Sequence, residues 1–108
     1  MRFERMLPHQ IRHAIAENTP VALALGVMEY HGEHMAVGMD LLAVTEILTR
    51  LEAEMALVIL PPFAYGAASY AVAGPEGTGS MDIDASKISA LAEDMFFALL
   101  RIGFRNIH

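Results

Sequence analysis

The sequence predicts an α/β fold in which a parallel or mixed sheet carries helices on both faces. Two apolar runs, 21–25 and 56–60, have the length and composition of strands that are buried on both faces. Segments with the apolar spacing of helices come before, between and after these runs. Because strand and helix alternate, the sheet is expected to be parallel, with right-handed crossovers and a further strand over 104–108.

The first two helices have clear start and stop signals. Leu7 to Glu17 forms the first, because Pro8 suits a first helical turn and Asn18-Thr19-Pro20 ends the segment. The second is predicted from Leu41 to Glu54, with Asp40 as its N-cap.

The third helix is predicted over Ala85 to Ile102, between an N-cap at Asp84 and a C-cap glycine at Gly103. Its apolar stripe predicts packing against a sheet and comprises Ile88, Leu91, Met95, Leu99 and Ile102, with Phe96 beside it.

A glycine-rich segment from Phe63 to Ile83 is predicted to be a loop. Loops of about 20 residues are uncommon inside compact domains and are usually functional or disordered. Tyr65, Ser69 and Tyr70 have hydrogen-bonding tips that could line a pocket, or they could pack the loop against itself. The residue types leave both interpretations open.

Composition excludes several classes of function. The net charge of −6 argues against binding to nucleic acid or to an anionic membrane. There is no cysteine, and neither a secretory signal nor an apolar run long enough to span a bilayer is found, so the expected location is the cytoplasm. The hydrophobic fraction of 55% is high for so short a chain, which predicts apolar surface that a missing second half, a partner subunit or both cover.

Polar side chains gather where the first strand ends and the second helix begins. In an extended chain Glu29 and His31 point to the same side, and the eight residues that follow can bring Asp40 back toward them. One imidazole and two carboxylates suit a divalent metal, and a carboxylate can bridge two ions. The spacing alone equally allows an N-cap aspartate, a solvated glutamate and a loop histidine.

The residue types in this segment also resemble those of a known family. The pattern Glu29-x-His31-Gly32-x-His34, followed by Gly38-x-Asp40, resembles the N-terminal motif of the creatininase (creatinine amidohydrolase) family. Further segments resemble that family in the same order: residues 60–66 its L-P-P-x-x-Y-G, residues 77–78 its P-G-T, and residues 103–107 its H-G-F-R-R-I.

The resemblance implies a binuclear metal hydrolase with Zn or Mn, two ions per complete site. Glu29, His31 and Asp40 would be metal ligands, with Asp40 bridging the ions. His34 and Glu33 are then candidate catalytic residues. The candidate substrate-binding residues are Tyr65, Ser69, Tyr70 and Thr78.

The implied reaction is hydrolysis of a small cyclic or formyl amide by a metal-activated water. Tyr30 and Glu33 stand where the family commonly has glutamine and proline, which leaves the substrate open, and a keto-inositol ring is an alternative. A catalytically incomplete half-domain with an assembly role is another.

Family members are considerably longer than this chain and continue past the H-G-F-R-R-I motif. We therefore expect residues 1–108 to be the N-terminal half of one creatininase-like domain, incomplete at its C-terminus. The expected partners are a small-molecule substrate and either further copies in a homo-oligomer or a chain that carries the C-terminal half.

Overall fold

The computed structural model describes residues 1–69 and 78–108. A short 3-10 helix comes first and is followed by alternating helices and strands. In chain order the elements are the 3-10 helix Phe3–Arg5, α1 Pro8–Ala16, β1 Val21–Ala22, α2 Met39–Glu54, β2 Val58–Ile59 and α3 Ala85–Ile102. The predicted α/β class and the three predicted helices are confirmed, and the regular strands are shorter than the apolar runs that contain them.

The sheet is parallel. Val21 of β1 lies opposite Val58 of β2, and Ala22 lies opposite Ile59. Single parallel bridges extend this pairing and join Leu25 to Phe63, Val21 to Ile107 and Arg2 to Ile59. β1 therefore lies between β2 and the segment 104–108, where a single bridge at Ile107 takes the place of the predicted last strand. The bridge at Arg2, on the far side of β2, was not predicted.

Alternate residues of the strands pack against helices on opposite faces of the sheet, which confirms the predicted layers. On one face α1 and α3 contribute to a cluster formed by Ala14, Val21, Val58, Leu60, Leu99 and Phe104. On the other face α2 contributes to a second cluster formed by Ala22, Ala24, Leu48, Leu57 and Ile59. The period of two along each strand thus divides the core into two layers.

The predicted cap of α3 is confirmed and that of α2 is wrong. The Asp84 carboxylate accepts a hydrogen bond from the Ser86 amide at 2.8 Å. The N-cap of α2 is Gly38, because the Gly38 carbonyl already accepts from the Leu42 amide at 2.9 Å. Asp40 lies inside the first turn instead, where a carboxylate is favoured by the helix dipole.

The apolar stripe of α3 is only partly buried, which corrects the prediction that all of it packs on the sheet. Leu99 is 7% exposed, whereas Leu91, Phe96 and Ile102 are each more than 40% exposed. The prediction that residues 21–25 are buried throughout is also wrong at Leu25, which is 54% exposed. Helical period identifies which side chains can face a core, but the described sheet is too small to cover the length of α3.

Gly26 allows the chain beyond β1 to approach the start of α2 closely. A Cβ atom on Gly26 would lie 2.7 Å from the Leu41 amide nitrogen and 2.8 Å from the Leu41 Cα. The Gly26 amide also donates to the Phe63 carbonyl at 3.0 Å. Because Gly26 has no side chain, the chain after β1 and the first turn of α2 can lie this close together. Within the described part of the chain, no helix is long and apolar enough to cross a membrane.

We expect Gly26→Ala to lower the free energy of unfolding by about 1–3 kcal/mol, the usual cost of overpacking. The added methyl group meets backbone atoms of Leu41, which cannot rotate away. Gly66→Ala is the matched control, because a Cβ there meets Val27 at an ordinary 3.5 Å. That control should change stability by less than about 1 kcal/mol, in the stabilising direction. Equal urea midpoints for the two variants would contradict the close approach.

The cap of α3 should make stability depend on pH. Hydrogen bonds from the Ser86 hydroxyl and amide lower the pKa of Asp84 below its ordinary value of 3.8. Since the folded-state pKa is the lower one, this stabilisation is present above 3.8 and is lost as the pH falls through the folded value.

Asp84→Asn keeps the cap acceptor but does not titrate there. The urea midpoint of the wild type should therefore fall faster than that of Asp84→Asn as the pH drops from about 5 to about 2. Parallel curves over that range would contradict the assignment.

Candidate metal centre

The candidate centre lies just beyond β1, in a loop that folds back on itself. The Glu29 amide donates to the Val37 carbonyl at 2.9 Å, which closes the loop two residues before α2 begins. Gly32 turns the chain with a φ of +94°, a conformation that suits glycine. These contacts return the chain toward its own start and place Asp40, in the first turn of α2, next to Glu29 and His31.

The three side chains converge on one point. His31 Nε2 lies 3.3 Å from Glu29 Oε1 and 3.4 Å from Asp40 Oδ1. One ligand atom from each of the three residues lies within 4.8 Å of the other two. The convergence that the spacing allows is therefore present, although residues 29–31 are not part of a regular strand.

The centre holds two carboxylates with little compensating charge. The side chains of Glu29, His31 and Asp40 are 9%, 17% and 32% exposed. Among residues 1–69 and 78–108, no lysine or arginine forms an ion pair with either carboxylate. A partly buried pair of carboxylates without a lysine or arginine partner is costly, so this arrangement favours a bound cation.

The hydrogen bond of the second ring nitrogen determines how His31 can act. His31 Nδ1 lies 3.1 Å from the Glu29 backbone carbonyl, which can only accept, so Nδ1 carries the proton. In the neutral ring Nε2 then has a lone pair directed at two carboxylate oxygens. A cation between the three atoms turns this repulsion into attraction, and such an Nδ1–H to carbonyl contact commonly orients metal-binding histidines.

Glu29 is held from its other side by a backbone amide. The Ser69 amide donates to Glu29 Oε2 at 2.7 Å, which leaves Oε1 on the side of His31. Sequence reasoning assigned Ser69 to the substrate through its hydroxyl and missed this contact. Amide donors are present at every residue except proline, so no sequence signal identifies the one that serves a given carboxylate.

The candidate catalytic residues lie on the exposed turn that follows His31. The Tyr30 hydroxyl donates to Glu33 Oε1 at 3.1 Å, and this hydrogen bond is the main cause that raises the pKa of Tyr30. The His34 ring lies against Gly32 and is not among the three converging residues. Glu33 and His34 are thus next to the centre in sequence and open to solvent.

Two of the four candidate substrate-binding residues line cavities, and the cavities are different ones. Tyr65 lines a cavity of about 350 Å³ together with Asp40, Phe63 and Ile88. Thr78 lines a second cavity, of about 380 Å³, that includes Tyr30, Gly32, Glu33, Met35 and Val37. Tyr70 lies outside the described residues.

The donor set suits a divalent ion that accepts both oxygen and nitrogen. Two carboxylates and one imidazole give three protein ligands, the number usual in catalytic zinc sites, and carboxylates also suit manganese. A carboxylate that uses both oxygens could also bridge two ions. Glu29, His31 and Asp40 provide three ligands for one cation, and a second cation would need further ligands.

Comparison with known proteins finds relatives for nearly the whole chain. The creatininase family model, described as creatinine amidohydrolase, matches residues 4–108. Creatinine amidohydrolase of Pseudomonas putida is 26% identical over 87 residues, which cover 79% of this chain and 34% of that protein.

Solved structures of creatininase have the same fold. A manganese form has a TM-score of 0.86 at 21% identity, and a mutant complexed with creatine has a TM-score of 0.85 at 22% identity. Each comparison covers 98% of this chain and 42% of the other, so the chain spans less than half the length of these proteins. Because the family model matches nearly all of its residues, and the candidate centre lies within that match, the chain belongs to the creatininase family.

Proposed function

We propose that this chain carries half of the active site of a metal-dependent amidohydrolase that acts on a small cyclic or formyl amide. The observation that carries the proposal is the convergence of Glu29, His31 and Asp40, with His31 Nε2 facing two carboxylate oxygens. Membership of the creatininase family supports hydrolysis, and solved relatives in manganese and Zn–Zn forms support a divalent ion.

A divalent ion at this centre would lower the pKa of a coordinated water toward about 7 and would polarise a carbonyl oxygen. The chain's own residues supply the rest. Glu29 and Asp40 neutralise the cation, and His31 presents Nε2 because Nδ1–H is held by a carbonyl. Glu33 and His34, on the adjacent turn, are the proposed acid and base groups that move protons to and from the substrate.

The cavity shared by Asp40 and Tyr65 is the proposed position of the substrate's organic part. Phe63 lies edge-on to Tyr65 with ring centroids 6.4 Å apart, which gives this cavity an aromatic wall beside a carboxylate ligand. A small flat amide ring fits such a wall, with its carbonyl directed at the metal. Thr78 and Ser69 are proposed to contact the substrate from the neighbouring loop.

The exposed apolar side chains of α3 support a second role, in assembly. Four of these side chains have exposed fractions between 43% and 47%, whereas large apolar side chains in a core are mostly buried: Leu91, Phe96, Phe97 and Ile102. We propose that they pack against the C-terminal half of the domain, in the same or a second chain, and that the whole assembles as a homo-oligomer. On this view residues 1–108 are the N-terminal half of the domain.

The three converging residues should bind one divalent ion firmly. His31→Ala should weaken Mn²⁺ or Zn²⁺ binding by more than about 100-fold, beyond the loss typical of residues that only orient a ligand. His34→Ala is the matched control, because it removes a neighbouring imidazole outside the centre. Isothermal titration of both variants with the metal salt measures the difference. Equal losses, or two firmly bound ions per wild-type chain, would contradict the assignment.

The chain alone should show no amide hydrolysis, because three protein ligands cannot complete a pair of bridged ions. Adding the remaining part of a relative's domain as a second polypeptide should restore turnover of a cyclic amide, and Asp40→Ala should abolish it. The measurement is product formation with creatinine, a formyl amide and a keto-inositol in parallel.

Turnover of each of the three substrates, together with formation of a complex between the two polypeptides, distinguishes the candidate roles. Turnover of the amides supports the main proposal, and turnover of the keto-inositol alone would replace it. A stable complex without turnover would favour the assembly role. Hydrolysis by the isolated wild-type chain that is lost in Asp40→Ala would show that the second half is dispensable.

A further inference from the structure

Orientation of the buried Glu29 carboxylate depends on one backbone amide. The Ser69 amide donates to Oε2 at 2.7 Å, and the carboxylate is then left with Oε1 toward His31 Nε2. A shift of the Ser69 amide would rotate or withdraw the oxygen that faces the candidate metal position. The position of residue 69 therefore affects the orientation of the Glu29 carboxylate, although the two residues are distant in sequence.

Segment 66–69 is held by the residues just before α3. Asp82 Oδ1 accepts a hydrogen bond from the Ala68 amide at 2.9 Å, one residue from Ser69. The Ile83 amide donates to the Gly66 carbonyl at 3.1 Å. These two contacts secure the segment on both sides of Ala67.

The same residues before α3 also hold the loop that contains Glu29. The Met81 amide donates to the Met28 carbonyl at 2.8 Å, and the Tyr30 amide donates to Ser80 Oγ at 3.0 Å. Residues 80–83 therefore bridge the ligand loop and segment 66–69. The only side-chain carboxylate in that bridge belongs to Asp82.

We propose that Asp82 is a positioning residue for the metal centre, which acts by fixing the Ala68 and Ser69 amides and through them the Glu29 carboxylate. The inference rests on the proposed function in that it takes Glu29 as a metal ligand. A carboxylate that accepts from a backbone amide forms a charge-assisted hydrogen bond, stronger than one between neutral groups. Asp82 is exposed, so its truncation leaves both core clusters untouched.

The negative charge of Asp82 alone could also raise the affinity for a metal, and the same experiment distinguishes this effect from positioning. An acidic residue near a cation attracts it whether or not it fixes the loop. Asp82→Asn removes the charge and keeps an oxygen that can accept from the Ala68 amide, whereas Asp82→Ala removes both. Asp94→Ala, on the exposed surface of α3, is the control for a change of net charge.

The test is the affinity of the 108-residue chain for Mn²⁺ and Zn²⁺, measured by isothermal titration together with the urea midpoint of the metal-free protein. Asp82→Ala should bind the metal about tenfold more weakly, the lower end of the range for residues that orient a ligand. Asp82→Asn should stay within about threefold of the wild type, and Asp94→Ala should match the wild type. If Asp82→Ala does not fold, Asp82→Ser takes its place, because a serine hydroxyl is too short to reach Ala68.

The outcomes distinguish this inference from the function on which it rests. A wild-type chain that binds no metal overturns the proposed function. Wild-type affinity retained in Asp82→Ala overturns the positioning role alone. Equal weakening in Asp82→Asn and Asp82→Ala also overturns it, since charge would then be the cause. Faster hydrogen exchange of the Ser69 amide in Asp82→Ala than in Asp82→Asn would support it.

Discussion

Contact between Gly26 and the first turn of α2 is the constraint from which the candidate centre follows. The two backbones approach so closely that a single methyl group has no room. Because the helix begins there, Asp40 is brought to the chain that leaves β1, and the loop between them has to fold back over a short distance. The hydrogen bond from Glu29 to Val37 closes that loop, and the three polar side chains then meet.

Charge explains why such a meeting is unfavourable without a ligand. Folding brings two carboxylates and an imidazole nitrogen to one partly buried point, with no lysine or arginine paired to them in the described chain. A globular core gains nothing from that arrangement. The protein stabilises it locally with the Ser69 amide and the Glu29 carbonyl, and both contacts orient the donors inward rather than neutralise them. This centre is the proposed position of a cation.

Much of this could be read from the sequence, and the failures have physical causes. The position of Asp40 at the start of α2 was predicted correctly, but its assignment as the N-cap was wrong, because Gly38 is the N-cap. Apolar period located α3 and could not show that Leu91 and Phe96 stay exposed, since period says nothing about how far a sheet extends. The contact of the Ser69 amide with Glu29 could not be predicted, because every residue except proline has a backbone amide and the sequence does not show which amide meets a given carboxylate.

The pairing of β1 has a consequence for the order in which the chain folds. β1 is bonded on one side to β2 and on the other to residues 106–108, and both partners are distant in sequence. The long loops must close, with a loss of chain entropy, before these stabilising contacts can form. Folding is therefore intrinsically slow for parallel pairings of this kind. During synthesis one edge of β1 stays open until residues 106–108 have emerged, and an open apolar strand edge is a site of misassociation. The apolar residues that make the finished sheet stable thus make the unfinished one vulnerable.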